Sequence, residues 1–372
     1  MFLKCQFLLI LFLVFFANSR CSNTAKRGIT GSNKLNQVKY AVNFNLIPHP
    51  SYTELQILNP EKGIVERKFA LINQGAKPIL SSSIEQIEIP VKGIVCLSAT
   101  HIGMMNKLVA ISQIKGTSFR KYIDNSKVLE RIKAHKIQEF SGIDQLNPER
   151  LIKTKATVVI YDGFGTFPAN EDKLKKLGVA CIPNYDWRET NPLGKAEWIK
   201  LFGILSGKEK KANQYFTSIE KKYHDLLQRE EKNTMHRTFI SGCLIGDLWY
   251  MPAGQSFLAN LLKDAKVDYV ERKSKGTGSV SFSLEHCLKA HKEAKVWINP
   301  GVTSYKELIQ LNPKYRFFKA FNEKQIYCYS HNANYFWENS AIEPQHMLSD
   351  YIQLNRGVGS DKKLYFYQKL KE

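Results

Sequence analysis

Between Lys195 and Glu231 the chain holds no proline and only two glycines, Gly203 and Gly207. Apolar residues recur at positions 198, 202, 205, 212, 216, 219, 223 and 226, along one side of an α-helix. A continuous helix over this stretch measures roughly 55 Å at 1.5 Å per residue. Such a rod is longer than the unit on either side of it. It therefore predicts a brace between two lobes rather than a crossover within one. At 372 residues the chain has room for two domains, each with its own core.

Both flanks alternate between strand and helix patterns. From residue 39 to 89, short apolar runs (YAVNFNLI, YTELQIL, RKFALIN, IEQIEIP) separated by turns predict strands. KGIVCLS reads as a buried strand, and a helix follows over 101–110. NPERLIKT opens another helix, with Asn147 as N-cap and Pro148 at the first position. The strand TVVIYD, the helix ANEDKLKKLG and the strand VACIPNYD complete a β-α-β-α-β series, which predicts a largely parallel sheet. Beyond the brace, RTFISGCLIG begins a second series of the same kind. The stretches NPERLIKTKATVVIYDG and SLEHCLKAHKEAKVWINPG match each other in order. Each has a capping residue, Asn147 or Ser283, and a glutamate two positions later, Glu149 or Glu285. One such glutamate only complements the helix macrodipole. The pair, in equivalent places, points to a duplicated architecture that presents one acid per lobe. The expected fold is two Rossmann-like α/β lobes, 37–190 and 233–372, joined by one long rigid helix over 191–232, with a ligand cleft between the lobes.

The N-terminus reads MFLKCQFLLILFLVFFANSRC. Its apolar run, Phe7 to Ala17, is too short to span a bilayer and fits the core of an export signal over 1–20. Cys21 stands where a lipoprotein signal is cut and lipid attached, although Arg20 occupies a place usually held by a small residue. Residues 21–36 are polar and read as a tether. The net charge is +20, but the basic residues form no arm or block, which argues against a nucleic-acid partner. An ordinary solvated basic surface, an anionic ligand and an anionic membrane surface all remain. Cys96, Cys181, Cys243, Cys287 and Cys328 show no CxxC spacing and read as buried free thiols. DGFGTF lacks the third glycine of a dinucleotide loop.

Open α/β sheets bind ligands at the loops beyond their strand ends. Those loops hold Ser98 to His101, Tyr161 to Phe167 with Phe164 at their centre, then Trp187 and Arg188. In the second half they hold Trp249, Tyr250 and Met251, Asn299 to Thr303, and Asn334 to Trp337. Each aromatic is either a core residue or part of a binding mouth. Aromatic faces suit catechol, porphyrin or corrin groups, and an arginine fork suits carboxylates. Tyr185 is left open between the two roles.

The stretches RETNPLGKAEWIKLFGILSGKEKKANQYF, LWYMPAGQSFLANLLKDA, VSFSLEHCLKAHKEAKVWINPG and CLSATHIGMMNKL carry a family likeness. Across about residues 90–345 the chain resembles the periplasmic substrate-binding proteins that serve ABC importers of iron–siderophore complexes, haem and cobalamin. The resemblance implies two lobes on one rigid helix, a shallow inter-lobe cleft, and docking to a membrane permease through Glu149 and Glu285. It further implies a monomeric, non-catalytic protein of the periplasm, held to a membrane by lipid on Cys21. The expected ligand is a ferric siderophore, with cobalamin, haem or a free Zn or Mn ion as alternatives. His101 and His331 are the histidines placed for a metal. Two other classes stay open: a surface lipoprotein without a permease, and a hydrolase or reductase acting on the ferric complex. No nucleophile–base pair nominates itself for the latter.

Overall fold

The computed structural model describes residues 37–81, 84–118, 120–144, 146–163, 168–329, 334–357 and 363–372. Alternating burial in the first strands produces a small sheet of β1 (Phe44–Pro48), β2 (Thr53–Leu58), β3 (Val65–Asn73) and β4 (Glu85–Ile89). The first three run antiparallel, and β4 joins β3 in parallel. Their inward side chains include Phe44, Leu55, Phe69 and Ile87.

The first lobe follows as a parallel sheet ordered β7-β6-β5-β8-β9. Its strands are β5 (Ile94–Cys96), β6 (Ile114–Thr117), β7 (Gln138–Glu139), β8 (Val158–Tyr161) and β9 (Ala180–Pro183). Apolar residues fill β5, β8 and β9, as expected of strands covered on both faces. The intervening helices are α1 (Ala99–Lys107), α2 (Ser126–Lys133), α3 (Pro148–Lys153) and α4 (Glu171–Lys176). Asn147 caps α3 as its sequence implies, accepting from the Arg150 N–H at 3.0 Å. The chain fills β6 and β7 on one side of β5, then β8 and β9 on the other. The order thus reverses between β5 and β8.

The brace differs from the single helix expected over 191–232. It comprises α5 (Pro192–Glu197), α6 (Ile199–Ser206) and α7 (Glu209–Glu230). Asn191 caps α5 by accepting from Leu193 and Gly194, so NPLG is a helix start rather than a free turn. All eight residues of α6 are buried. Phe202 lies 5.4 Å, ring to ring, from His101 on α1. Gly207 then takes a left-handed φ of 68°, which closes α6 and lets the chain turn back along α7. Only α7 has the one-sided stripe, with Ala212, Phe216, Ile219 and Tyr223 inward. Its 22 residues span about 33 Å.

Two buried carboxylates at the brace hold the first described segment in place. Glu197 accepts the backbone N–H groups of Lys39, Tyr40 and Ala41, and Glu189 accepts those of Val42 and Asn43. Lys200 neutralises Glu197 at 2.7 Å.

In the second lobe the sheet order is β13-β10-β15-β16-β17. It comprises β10 (Thr238–Ser241), β13 (Asp268–Tyr269), β15 (Val296–Ile298), β16 (Ile326–Tyr329) and β17 (Tyr367–Lys369), the last antiparallel to β16. A separate antiparallel sheet holds β11 (Cys243–Ile245), β12 (Leu248–Pro252) and β14 (Ser279–Phe282). The helices are α8 (Phe257–Asp264), α9 (Leu284–His291), α10 (Tyr305–Leu311), α11 (Lys319–Asn322), α12 (Phe336–Asn339) and α13 (Pro344–Arg356). Ser283 caps α9 through the His286 N–H. Helix α12 reaches back to the first lobe, where a Cβ on Gly103 would meet the Glu338 carbonyl oxygen at 1.9 Å. The Glu338 carboxylate in turn accepts the Asp124 and Asn125 N–H groups at 2.8 and 2.9 Å.

Candidate functional site

In open parallel sheets the ligand crevice lies beyond the carboxyl ends of the strands, where strand order reverses. In the first lobe that point, between β5 and β8, brings together Ser98, Thr100 and Asp162, joined by the Asn184–Arg188 stretch after β9. Asp186 is nearly fully buried. It accepts from the Thr100 hydroxyl at 2.9 Å, and Ser98 stands 3.2 Å from that same hydroxyl. Burial raises the Asp186 pKa, while the Lys195 charge opposes the shift. Burial likewise lowers the Lys195 pKa, with Asp186 and then Glu189 opposing. The Lys195 ammonium lies 4.7 Å above the ring of Phe257, at the start of α8 in the second lobe.

Trp187 and Arg188 are half-buried at this rim. The Trp187 indole donates to the Asp162 carbonyl, and the Arg188 guanidinium stacks 5.2 Å from the same indole. Glu61 stands 3.8 Å from Arg188. Tyr185, left open by the sequence, is a core residue whose hydroxyl donates to Glu66 at 2.7 Å.

In the second lobe the reversal lies between β10 and β15. There Asn299 adopts a φ of 58° and accepts from the Tyr367 hydroxyl at 2.9 Å. Trp249 and Met251, expected at the mouth, are both fully buried. Strand residues two apart share a face, so the pair points inward together while Tyr250, 38% exposed, points out. The Trp249 ring packs within 5.7 Å of Trp297, Tyr315 and Phe318, and its indole donates to the Ser241 carbonyl at 2.9 Å. His101 is a further correction. Helix α1 carries it into the apolar core, where burial lowers its pKa to about 3 and keeps the ring neutral. Trp337 is half-buried, 5.1 Å from Tyr122 of the first lobe and 5.3 Å from Tyr329.

Sequence reasoning did not nominate Asp186, Lys195, Tyr122 or Tyr329. Only the strand-end position of Asp186 could have signalled it. Phe164, His331 and Cys21 lie outside the described residues. Among the described residues no three His, Cys, Asp or Glu side chains group as metal ligands. The five cysteines from Cys96 onward are free thiols, four of them buried. Arg272 pairs with Asp268 at 2.6 Å and, with Lys273, lines a cavity of about 940 Å³ beside α8 and β13.

Glu149 and Glu285 are both exposed, each in the first turn of its helix. Its own backbone N–H, then Lys314 at 3.2 Å, lower the Glu285 pKa.

Comparison with known proteins gives a consistent result. The periplasmic binding protein family matches residues 94–333. An uncharacterized lipoprotein of Methanocaldococcus jannaschii is 24% identical, over 94% of this chain and 92% of its own length. A second from the same organism is 25% identical over 91% of this chain and 88% of its own length. Among solved structures, a periplasmic heme binding protein from Pseudomonas aeruginosa aligns with a TM-score of 0.57 at 11% identity. It covers 76% of this chain and 99% of the other. A possible iron-binding periplasmic protein from Staphylococcus epidermidis aligns at 0.54 and 17% identity, covering 72% and 99%. The vitamin B12 binding protein of Vibrio cholerae aligns at 0.52 and 13% identity, covering 72% and 98%. At these identities the likeness is one of fold.

Proposed function

The chain belongs to the periplasmic binding protein family, and we propose that it is the substrate-binding component of an ABC importer for an iron complex. The observation that carries this reading is the pairing of two largely parallel sheets, each with an order reversal, in lobes that meet at Tyr122 and Trp337, with Lys195 of the brace against Phe257. A ligand in that crevice meets Trp187 and Arg188 on one side and Tyr250 on the other. Solved proteins of the same fold, described as binding iron, heme or vitamin B12, support the ligand class. The net charge of +20 favours an anionic ferric siderophore, drawn in by long-range attraction. No chemical step is needed for capture and release.

In this reading Cys21 carries lipid, and the protein works as a monomer at the outer face of a membrane. The lipoprotein descriptions of the two archaeal relatives support the anchor. Glu149 and Glu285 meet basic residues of the permease. Exposed ion pairs contribute roughly 0–1 kcal/mol each, so they set orientation more than affinity.

Titration with a ferric tris-catecholate complex, haemin and cyanocobalamin, followed by tryptophan fluorescence, tests the ligand class. Saturation by the ferric complex is expected. Saturation by either of the others, with no response to the first, overturns the siderophore assignment. Reversing both glutamates to lysine should abolish uptake and leave ligand binding intact. Uptake that survives both reversals removes the permease role of these residues.

A further inference from the structure

Lys195 belongs to neither lobe. It sits on α5, at the start of the brace, between Asp186 of the first lobe and Phe257 of the second. It is half-buried, and among the described residues its ammonium makes no hydrogen bond or ion pair. Two other lysines removed from full exposure are compensated directly: buried Lys200 by Glu197 at 2.7 Å and half-buried Lys107 by Glu343 at 2.8 Å. The ring of Phe257 supplies a cation–π contact, but a ring face cannot satisfy the three N–H donors of an ammonium group. The Asp186 carboxylate attracts the Lys195 charge, but its side-chain hydrogen bond is to Thr100.

We propose that Lys195 is the specificity-determining cation of the cleft, and that it takes an anionic oxygen of the ligand. The anion is a catecholate or carboxylate edge of a ferric complex, or a propionate of haem. The inference rests on the reading that the crevice holds a small-molecule complex. An anionic oxygen facing Lys195 supplies the acceptor that the protein withholds, beside the hydroxyls of Ser98 and Thr100. A neutral ligand that covers the ammonium strips its water without offering a charged acceptor, so the site discriminates against it. Because the brace carries this charge, ligand held there lies at the junction of both lobes. Selectivity by charge is thereby tied to a segment that joins the two lobes.

The test uses the full chain, with K195Q and K195R beside the wild type. The probes are ferric tris-(2,3-dihydroxybenzoate) and haemin, both anionic, and cyanocobalamin, which carries no net charge. K195Q is expected to weaken the anionic probe that the wild type binds by roughly tenfold or more, about 1.4 kcal/mol. K195R should stay within about threefold of the wild type, because the charge is kept. A purely structural pin would weaken neutral and anionic probes alike. Unchanged affinity of K195Q for the anionic probe overturns the inference and leaves the binding function standing. A wild type that binds none of the three overturns both. If K195Q fails to fold, the wild type decides alone: preference for cyanocobalamin over both anionic probes sinks the proposal.

Discussion

The two sides of the crevice are supported by opposite kinds of chemistry. On the first-lobe side, buried carboxyl groups hold the loops: Asp186 takes the Thr100 hydroxyl, and Glu189 takes the Val42 and Asn43 N–H groups. Glu338, carried over from the second lobe, takes those of Asp124 and Asn125. On the second-lobe side, the strand that presents Tyr250 rests on Trp249, Trp297, Tyr315 and Phe318, all buried. Packing of that kind holds one arrangement and is indifferent to pH. Buried carboxyl groups hold loops through hydrogen bonds and burial that change with their protonation state, so this side responds to pH. The first-lobe mouth is therefore the adjustable one, and the second is the fixed platform.

The largest expected effect comes from the platform. Trp249→Ala empties the centre of the aromatic cluster and should cost ~3–5 kcal/mol of stability. Tyr250→Ala on the same strand should cost less than ~1 kcal/mol while weakening ligand binding. Urea unfolding of the two variants checks the contrast, and equal losses would break the distinction between platform and surface.

Next comes pH. Burial raises Glu338 from an ordinary 4.5 to about 7, against its two N–H donors. Burial also raises Asp186 and Glu189. A raised acid keeps its proton longer folded than unfolded, so its stabilising effect is complete at low pH. For Glu338 it is lost as pH climbs from about 4.5 to about 7, a fall on the order of 3 kcal/mol at most. Glu338→Gln keeps an acceptor for Asp124 and Asn125 without the charge. Its melting temperature should vary less between pH 5 and pH 8 than that of the wild type. A wild type whose melting temperature rises over that interval contradicts the account. Asp350, raised by burial to about 6, adds a smaller effect of the same sign.

The smallest stability effect is expected at Arg188. Its guanidinium stacks on Trp187 and approaches Glu61 only at 3.8 Å, so Arg188→Ala should change unfolding free energy by no more than ~0.5 kcal/mol. Affinity for an anionic probe should fall several-fold. No change in affinity would return Trp187 and Arg188 to the role of a cap on the core.

Much of the fold is legible in short windows of sequence. The strand and helix alternation of both lobes appears as read except at Leu248–Pro252, expected as a loop and folded as β12, and Asn147 and Ser283 cap the helices they were expected to cap. Asn191 with Pro192 carries the same start signal and marks a helix that the apparent continuity of the brace conceals. The apolar stripe crosses Gly207 without losing phase, so the break leaves no mark in periodicity. It is visible only as the left-handed φ of one glycine and the burial of every residue of α6. The candidate site is less legible. Period two separates Trp249 from Tyr250 but does not say which of them faces water.

Local chemistry was enough to set two parallel α/β lobes, their helix starts and the paired exposed glutamates. Each follows from residues within a few positions of one another. The burial of Trp249, Met251 and His101, the folding of the brace on itself, and the meeting of Lys195 with Asp186 and Phe257 came from packing. These arrangements join residues that no local pattern relates, such as Lys195 on the helical brace and Phe257 beyond its end. A charged residue in a helical stretch reads as solvated until a second lobe closes over it, and that closure gives Lys195 its role.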